Sequence, residues 1–97
     1  MFWGKVFYTK FEIVVAICDE NLIEKEIVTK DLKVKISKHF YGGQLIDENQ
    51  AIKLMEKATI GNLIGEEIVS LAEKNGFIHR ENIILINGIP HAQFIKL

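Results

Sequence analysis

The chain has 97 residues, of which 48% are hydrophobic, and its 12 lysine and arginine residues nearly balance its 13 aspartate and glutamate residues. This length predicts one globular domain over residues 1–97, and the formal net charge of −1 excludes a protein that attracts nucleic acid by its overall charge. No run of about 18 apolar residues is present, which excludes a membrane-spanning helix and predicts no membrane partner.

The N-terminal segment and the single cysteine predict a protein of the reducing cytoplasm. We expect no signal peptide, because the apolar run of this segment comes late and carries Glu12. Cys18 cannot form a disulfide within the chain, since it is the only cysteine. It follows the apolar residues 13–17, which favours a buried thiol, and the acidic Asp19 and Glu20 beside it disfavour a reactive one.

The first third of the chain predicts strands. Residues 2–9 and 12–18 are rich in β-branched and aromatic side chains and predict a hairpin, whose second strand should be central because residues 13–17 are all apolar. Asp19 is predicted to cap a short helical turn that follows. Residues 32–37 alternate apolar side chains with Lys33 and Lys35, which predicts a half-buried strand at an edge of the sheet.

The middle of the chain predicts a turn and two helices. Gly42 and Gly43 permit the positive φ angles of a turn. Asp47 with Gln50 three residues later is typical of a capping box, so we expect a helix from residue 48. The phase of the apolar residues shifts near Thr59, which predicts a break there and a second helix that ends at residues 75–76.

The C-terminal segment predicts a second hairpin. The pair at residues 87–88, Asn-Gly, favours a two-residue turn that pairs Ile86 with Ile89 and Leu85 with Pro90. Pro90 then lies at a pair without hydrogen bonds, and its missing N–H predicts that this strand is an edge near its start. The elements together predict an α+β fold, in which a small, mostly antiparallel sheet of the two hairpins and one edge strand packs against two helices. The predicted core residues are Ile13, Val15, Ile17, Ile60, Ile64, Ile68 and Leu71.

Common catalytic and cofactor motifs are missing. The sequence has neither a phosphate-binding G-x-x-x-x-G-K-[ST] loop nor a G-x-G-x-x-G turn, and it has no G-x-S-x-G nucleophile elbow. Its three histidines lack the paired spacing of metal-binding helices. We therefore expect neither a cofactor nor a metal.

Small and polar residues occupy unexpected positions in the second half. Gly61 and Gly65 lie on the apolar side of the predicted second helix, where they indicate close packing or, as an alternative, the close approach of a ligand. Asn62 and Glu66 form a polar stripe beside them, which solvation alone could also explain.

His91 and Gln93 share a strand face with Ile84, Ile86 and Ile95, where apolar residues are due. Polar side chains on such a face need hydrogen-bond partners, unless they lie at an exposed tip. Glu66, Asn62 and Asp19 are the residues that we expect can reach His91.

Four segments of this chain resemble an archaeal protein family catalogued as domain of unknown function 424, over nearly the whole length and in the same order. The most specific pieces are Cys18-Asp19-Glu20, Tyr41-Gly42-Gly43, residues 62–66 (NLIGE) and residues 88–93 (GIPHAQ). The resemblance implies a small α+β cytoplasmic protein of archaea and indicates that these four pieces belong together. It implies no established activity, so no catalytic role is carried over to this chain.

Three functions remain open. The first is a binding module for RNA or a translation-related protein, with Lys33, Lys35 and Lys38 as the contact to nucleic acid. The second is a small enzyme in which His91 is the general acid or base, positioned by Glu66 or Asp19. The third is a homodimer formed through the edge beside Pro90. The predicted ligand-binding residues are Tyr41, Gly42, Gly43, Asn62, Glu66, His91 and Gln93.

Overall fold

Eight strands and three helices are present in the computed structural model, which describes residues 1–97. The strands are β1 (Phe2–Tyr8), β2 (Ile13–Asp19), β3 (Glu26–Val28), β4 (Lys33–Lys35), β5 (Gln44–Ile46), β6 (Ile60–Ile64), β7 (Ile84–Ile86) and β8 (Ile89–Ile95). Six of them form the main sheet in the order β5-β1-β2-β6-β8-β7, and β3 with β4 forms a separate ribbon. Only β2 and β6 run parallel. The predicted α+β fold with a mostly antiparallel sheet is confirmed.

The helices are α1 (Lys38–Tyr41), α2 (Glu48–Lys57) and α3 (Glu66–Lys74), and two 3₁₀ turns span Glu20–Leu22 and Arg80–Asn82. The predicted capping box begins α2, because Asp47 Oδ1 accepts from the Gln50 N–H at 2.8 Å and Gln50 Oε1 accepts from the Asp47 N–H at 2.9 Å. The predicted break near Thr59 is confirmed as well. None of the helices is long and apolar enough to cross a membrane.

The prediction that a helix begins directly after Thr59 is wrong, because Ile60–Ile64 is the strand β6. Thr59 directly precedes this strand and joins it to β2: its N–H donates to the Ile13 carbonyl at 2.8 Å, and its Oγ1 accepts from the Ile13 N–H at 2.9 Å. A short apolar segment containing glycine has no periodicity that separates strand from helix. Long-range pairing with β2 decides the conformation.

Two cores lie on opposite faces of the main sheet. The first face carries α2 and α3, whose Met55 and Ile68 pack with Val15, Ile17 and Leu63 of the sheet. The second face is covered in part by α1 and the β3–β4 ribbon, where Tyr41, Leu22, Ile27 and Ile36 pack on Ala16, Cys18 and Ile64. Of the predicted core, Val15, Ile17, Ile64 and Ile68 are buried, whereas Ile13, Ile60 and Leu71 are half-buried.

Two predictions for the middle of the chain need correction. The lysine-bearing strand β4 pairs only with β3, so it is not an edge of the main sheet. The segment before Gly42 is the short helix α1, which Ser37 caps, and neither Gly42 nor Gly43 has a positive φ. Gly43 is required for space instead, since a Cβ there would lie 2.5 Å from the Gly4 carbonyl oxygen of β1.

The C-terminal hairpin has the predicted register, with Ile86 opposite Ile89 and Leu85 opposite Pro90. The predicted edge near the start of this strand is present, because Ile89 and Pro90 pair with β7 alone, although the rest of β8 lies between β6 and β7. Its pairing with β6 ends at His91, one residue after Pro90, so the missing N–H of the proline interrupts neither neighbour. The edge strand on this side is β7.

Candidate functional site

Three polar side chains meet on the second face of the main sheet and form the polar cluster, Tyr41, Asn62 and His91. The Tyr41 hydroxyl donates to Asn62 Oδ1 at 2.6 Å, and His91 Nε2 lies 3.2 Å from the same oxygen. The antiparallel register of β6 and β8 places Gln93 directly beside Asn62, where it is exposed. The expected approach of Asn62 to His91 is therefore present, although Asn62 lies on a strand and not on a helix.

The hydrogen bonds determine which ring nitrogen of His91 carries the hydrogen. The amide oxygen of Asn62 can only accept, so the His91 Nε2 must carry the hydrogen. His91 Nδ1 is buried without a partner and is therefore the unprotonated nitrogen of the ring. Burial lowers the pKa of His91 and raises that of Tyr41. Both side chains are thus neutral hydrogen-bond donors to one amide oxygen at neutral pH.

We expect acid to destabilise the protein through His91. Its pKa in the folded state lies below the ordinary value of 6.5, so the unfolded chain binds more protons between the two values. The stability that depends on neutral His91 is fully present above pH 6.5 and is lost as the pH falls toward the folded-state pKa. Urea unfolding between about pH 8 and pH 5 measures this loss.

The matched control for this pH dependence is His91→Gln, whose amide can still donate to Asn62 but does not titrate. The other two histidines, His39 and His79, are exposed and present in both proteins. The variant should lose less stability than the parent as the pH is lowered. Equal losses in the two proteins would contradict the assignment of the buried, neutral imidazole.

Asp19 lies at the end of β2 and caps α3. Its Oδ2 accepts from the Glu67 N–H at 2.9 Å and its Oδ1 from the Ile68 N–H at 2.8 Å, and the residue is only 5% exposed. Burial raises the pKa of Asp19, and these two N–H groups oppose that increase. The sequence predicted that Asp19 caps the turn directly after it, but this turn has no side-chain cap.

The carboxylates proposed to position His91 lie elsewhere. Both oxygens of Asp19 are bonded to α3, and Glu66 is exposed in the first turn of that helix. Together with Glu20 and Glu67 they line an open cleft of about 800 Å³ at the carboxyl ends of the parallel strands. The hydrogen bonds of His91 include neither carboxylate. No group of three or more histidine, cysteine, aspartate or glutamate side chains converges to hold a metal ion.

The remaining predicted ligand residues do not join the polar cluster. Gly42 and Gly43 connect α1 to β5, and a Cβ on Gly42 would lie 2.6 Å from the Lys38 carbonyl oxygen. Because neither glycine has a side chain, the backbone passes close to α1 at Gly42 and close to β1 at Gly43. Of the motif Tyr41-Gly42-Gly43, only the tyrosine faces the cluster.

A group of aromatic and lysine side chains at one end of the sheet was not expected. Lysine ammonium groups lie over three rings: Lys5 is 5.2 Å from the centroid of Phe7, Lys10 is 5.4 Å from that of Phe11, and Lys57 is 5.3 Å from that of Tyr8. Phe40 of α1 stacks on Phe7 with centroids 5.5 Å apart. We name these residues the aromatic–lysine surface: Lys5, Phe7, Tyr8, Lys10, Phe11, Phe40 and Lys57. It wraps around this end of the sheet, since Phe7 and Phe40 lie on the second face and Tyr8 and Lys57 on the first.

Much of the aromatic–lysine surface is accessible. Tyr8 is 66%, Phe11 82% and Phe40 38% exposed. Single exposed apolar side chains are common, whereas a group of neighbouring exposed rings is typical of a contact surface. The sequence carries one indication of it, since aromatic residues alternate with Lys5 and Lys10 near the N-terminus. Phe40 and Lys57 join only through the fold.

The lysines predicted to contact nucleic acid lie near acidic groups. Lys33 and Lys35 are exposed on β4, but Glu24 Oε2 is 3.5 Å from Lys35 Nζ, and Glu26 faces Lys35 across the ribbon. The same Glu24 oxygen accepts from the backbone N–H of Lys38 at 3.3 Å. These two glutamates reduce the local positive charge of the predicted contact.

Comparisons with known proteins agree on the fold and name no activity. A family model described as "Protein of unknown function (DUF424)" matches residues 7–97. The crystal structure of an uncharacterized conserved protein from Methanopyrus kandleri is similar, with 25% identity and a TM-score of 0.84 over 99% of this chain and 93% of that chain. No curated protein matches.

Proposed function

The chain belongs to the DUF424 family, whose description assigns no activity, and we propose that it is a binding module that holds single-stranded RNA on the aromatic–lysine surface. The observation that carries this proposal is the position of a lysine ammonium over each of three rings, within 5.2 to 5.4 Å of the ring centroids. Rings that can stack on bases thus lie beside cations that can contact phosphates.

Each component of the surface has a partner in RNA. Bases stack on aromatic rings regardless of sequence, and each stacked base contributes about 1–3 kcal/mol. Tyr8, Phe11 and Phe40 are the rings exposed enough to accept a base. The lysines beside them can contact phosphates, which supply most of the affinity of such proteins. Asn62 and Gln93 lie on the second face, as Phe7 and Phe40 do, and offer amide donors and acceptors to base edges.

The charge distribution favours this side of the molecule. Residues 47–82, which include α2 and α3, hold seven acidic and four basic residues. These helices pack on the first face, so their acidic residues are separated by the sheet from Phe7 and Asn62 on the second face, although Lys57 at the end of α2 also contributes to the surface. The net charge of the chain is −1, so we expect weak affinity that falls steeply with salt.

We further propose that the protein works in the cytoplasm of archaea. The resemblance to an archaeal family and the likeness to the Methanopyrus kandleri protein support the source. Cys18 supports the compartment, since burial, with the neighbouring Asp19, raises the pKa of its thiol to about 12, and no second cysteine is available for a disulfide.

The double charge reversal Lys10→Glu with Lys57→Glu is expected to weaken RNA binding on the order of tenfold, because it removes two phosphate contacts and adds repulsion. The measurement is fluorescence anisotropy with a labelled single-stranded RNA of about 12 nucleotides, repeated over a range of salt concentrations. Phe11→Ala should weaken binding at every salt concentration, because stacking does not depend on counterions.

The matched control reverses the lysines that the sequence predicted, Lys33, Lys35 and Lys38. If the aromatic–lysine surface is the contact, this triple variant binds nearly as well as the parent. A larger loss in the triple variant would move the contact to the ribbon and α1. Binding by the parent that is undetectable even at low salt would contradict RNA binding altogether, and a translation-related protein would then be the partner to test.

A further inference from the structure

The edge strand β7 leaves backbone hydrogen-bonding groups without a partner. In the hairpin of β7 and β8, the two-residue turn at Asn87 and Gly88, both with positive φ, makes Ile86 and Ile89 a hydrogen-bonded pair. Leu85 and Pro90 are then a pair without hydrogen bonds, as the missing N–H of proline requires. The N–H and C=O of Leu85 therefore point outward, away from β8.

These two groups are free within the chain. No turn, loop or cap hydrogen bond uses the N–H or the C=O of Leu85. The N–H of Ile83, the next residue that points outward, already donates to the Arg80 carbonyl at 3.1 Å. The free edge is therefore centred on Leu85.

β7 also lacks the side chains that usually prevent an edge strand from pairing with another strand. Ile84 is 57% and Leu85 68% exposed, and the strand carries no charge and no proline. Edge strands usually avoid association through lysine, proline or a bulge. At the other edge of the sheet, β5 has one large exposed apolar side chain, Leu45, at 42%. The apolar, unprotected edge is thus the one formed by β7.

We propose that β7 pairs antiparallel with β7 of a second copy of this chain, about a twofold axis at Leu85. The two copies of Leu85 would exchange both of their free backbone hydrogen bonds, as a hydrogen-bonded antiparallel pair does. Ile84 would then lie opposite Ile86 of the other copy, and Leu85 opposite itself. A strand with no charge and apolar side chains on both faces is complementary to itself under this symmetry.

The twofold symmetry determines how the second faces of the two copies are oriented. A twofold axis between antiparallel edge strands is perpendicular to the sheet, so the second faces of both copies point in the same direction. If the proposed function is correct, on which this consequence rests, one RNA strand could contact Phe7 and Phe40 of both copies. A three-residue strand buries little area, so the dimer should be weak and dissociate on dilution.

The test is sedimentation equilibrium of the protein without RNA, from about 5 μM to 1 mM, so that its outcome is independent of RNA binding. The parent should change from monomer to dimer over this range. Leu85→Lys should remain monomeric throughout, whereas Leu45→Lys, an equivalent change at the centre of the other edge strand, should dimerise like the parent. Both positions are exposed in the monomer, and circular dichroism confirms that each variant is folded.

A second pair of variants tests the geometry through cross-linking. Leu85→Cys should form a disulfide-linked dimer on mild oxidation, because the two copies of residue 85 are directly opposite each other. Leu45→Cys should remain largely unlinked, and Cys18 does not compete because it is buried. A parent that is monomeric at the highest concentration, a Leu85→Lys variant that dimerises normally, or equal cross-linking of the two cysteine variants would each overturn the proposal.

Discussion

Gly65→Ala is expected to lower the free energy of unfolding by about 3 kcal/mol, from backbone strain and the loss of a helix cap. Gly65 has φ 124° and ψ 151°, a conformation that is almost exclusive to glycine. A Cβ there would also lie 2.6 Å from each oxygen of the Asp19 carboxylate. Asp19 would have to move, and the N–H groups of Glu67 and Ile68 would lose their acceptor.

Gly76→Ala is the control for this first prediction. Gly76 also has a positive φ, 79°, but no atom lies within 4 Å of the position that its Cβ would occupy. Its cost should be about 1 kcal/mol, which is the backbone strain alone. Chemical denaturation of both variants measures the difference. If the two substitutions cost the same, the contact with Asp19 contributes nothing. In an Asp19→Ala background, the part of the Gly65→Ala loss that comes from the displaced carboxylate should disappear, and the backbone strain at Gly65 should remain.

The second large effect is expected for Gly61→Leu, which should also lower the free energy of unfolding by about 3 kcal/mol. Gly61 and Phe94 are direct neighbours on β6 and β8, and the ring of Phe94 lies over the glycine. A Cβ on Gly61 would be 2.7 Å from Phe94 Cδ2. The ring stacks on Phe77 and is only 8% exposed, so it can leave only by giving up its buried position.

A double-mutant cycle with Phe94→Ala tests the cause of this loss. Removal of the ring creates the space that a leucine at residue 61 needs, so the two substitutions together should cost less than the sum of the separate losses. Additive losses would show that Phe94 is not the obstacle. If Gly61→Leu alone is as stable as the parent, the space beside Gly61 is open. The alternative interpretation of the sequence, in which the glycine allows a ligand to approach, would then gain support.

Part of the polar cluster could be predicted from the sequence. His91 and Gln93 were recognised because they interrupt the apolar side of an alternating strand, and Asn62 was named among the partners of His91. Tyr41 was among the predicted ligand-binding residues, but its hydrogen bond to Asn62 could not be predicted, since the hydroxyl reaches Asn62 only after α1 packs on the second face. The aromatic–lysine surface was missed for a similar reason: Phe40 and Lys57 come from separate helices.

Local sequence determined the features whose atoms lie within a few residues of each other. The capping box of Asp47 and Gln50 starts α2, and Asn87-Gly88 with Pro90 determines the register of the last hairpin. These outcomes depend on short-range hydrogen bonds and on the backbone preferences of glycine, asparagine and proline, so they are the same in any context that lets the chain fold.

Tertiary structure decided the features whose partners are far apart in the chain. Ile60–Ile64 became a strand because β2, more than 40 residues earlier, offers a parallel partner, and a helix there would leave that edge of β2 unpaired. Asp19 caps a helix that starts at Glu66 and not the turn beside it, since Gly65 leaves room for its carboxylate. No window of local sequence contains both members of these pairs, and the free energy of their contacts arises only when the sheet is assembled.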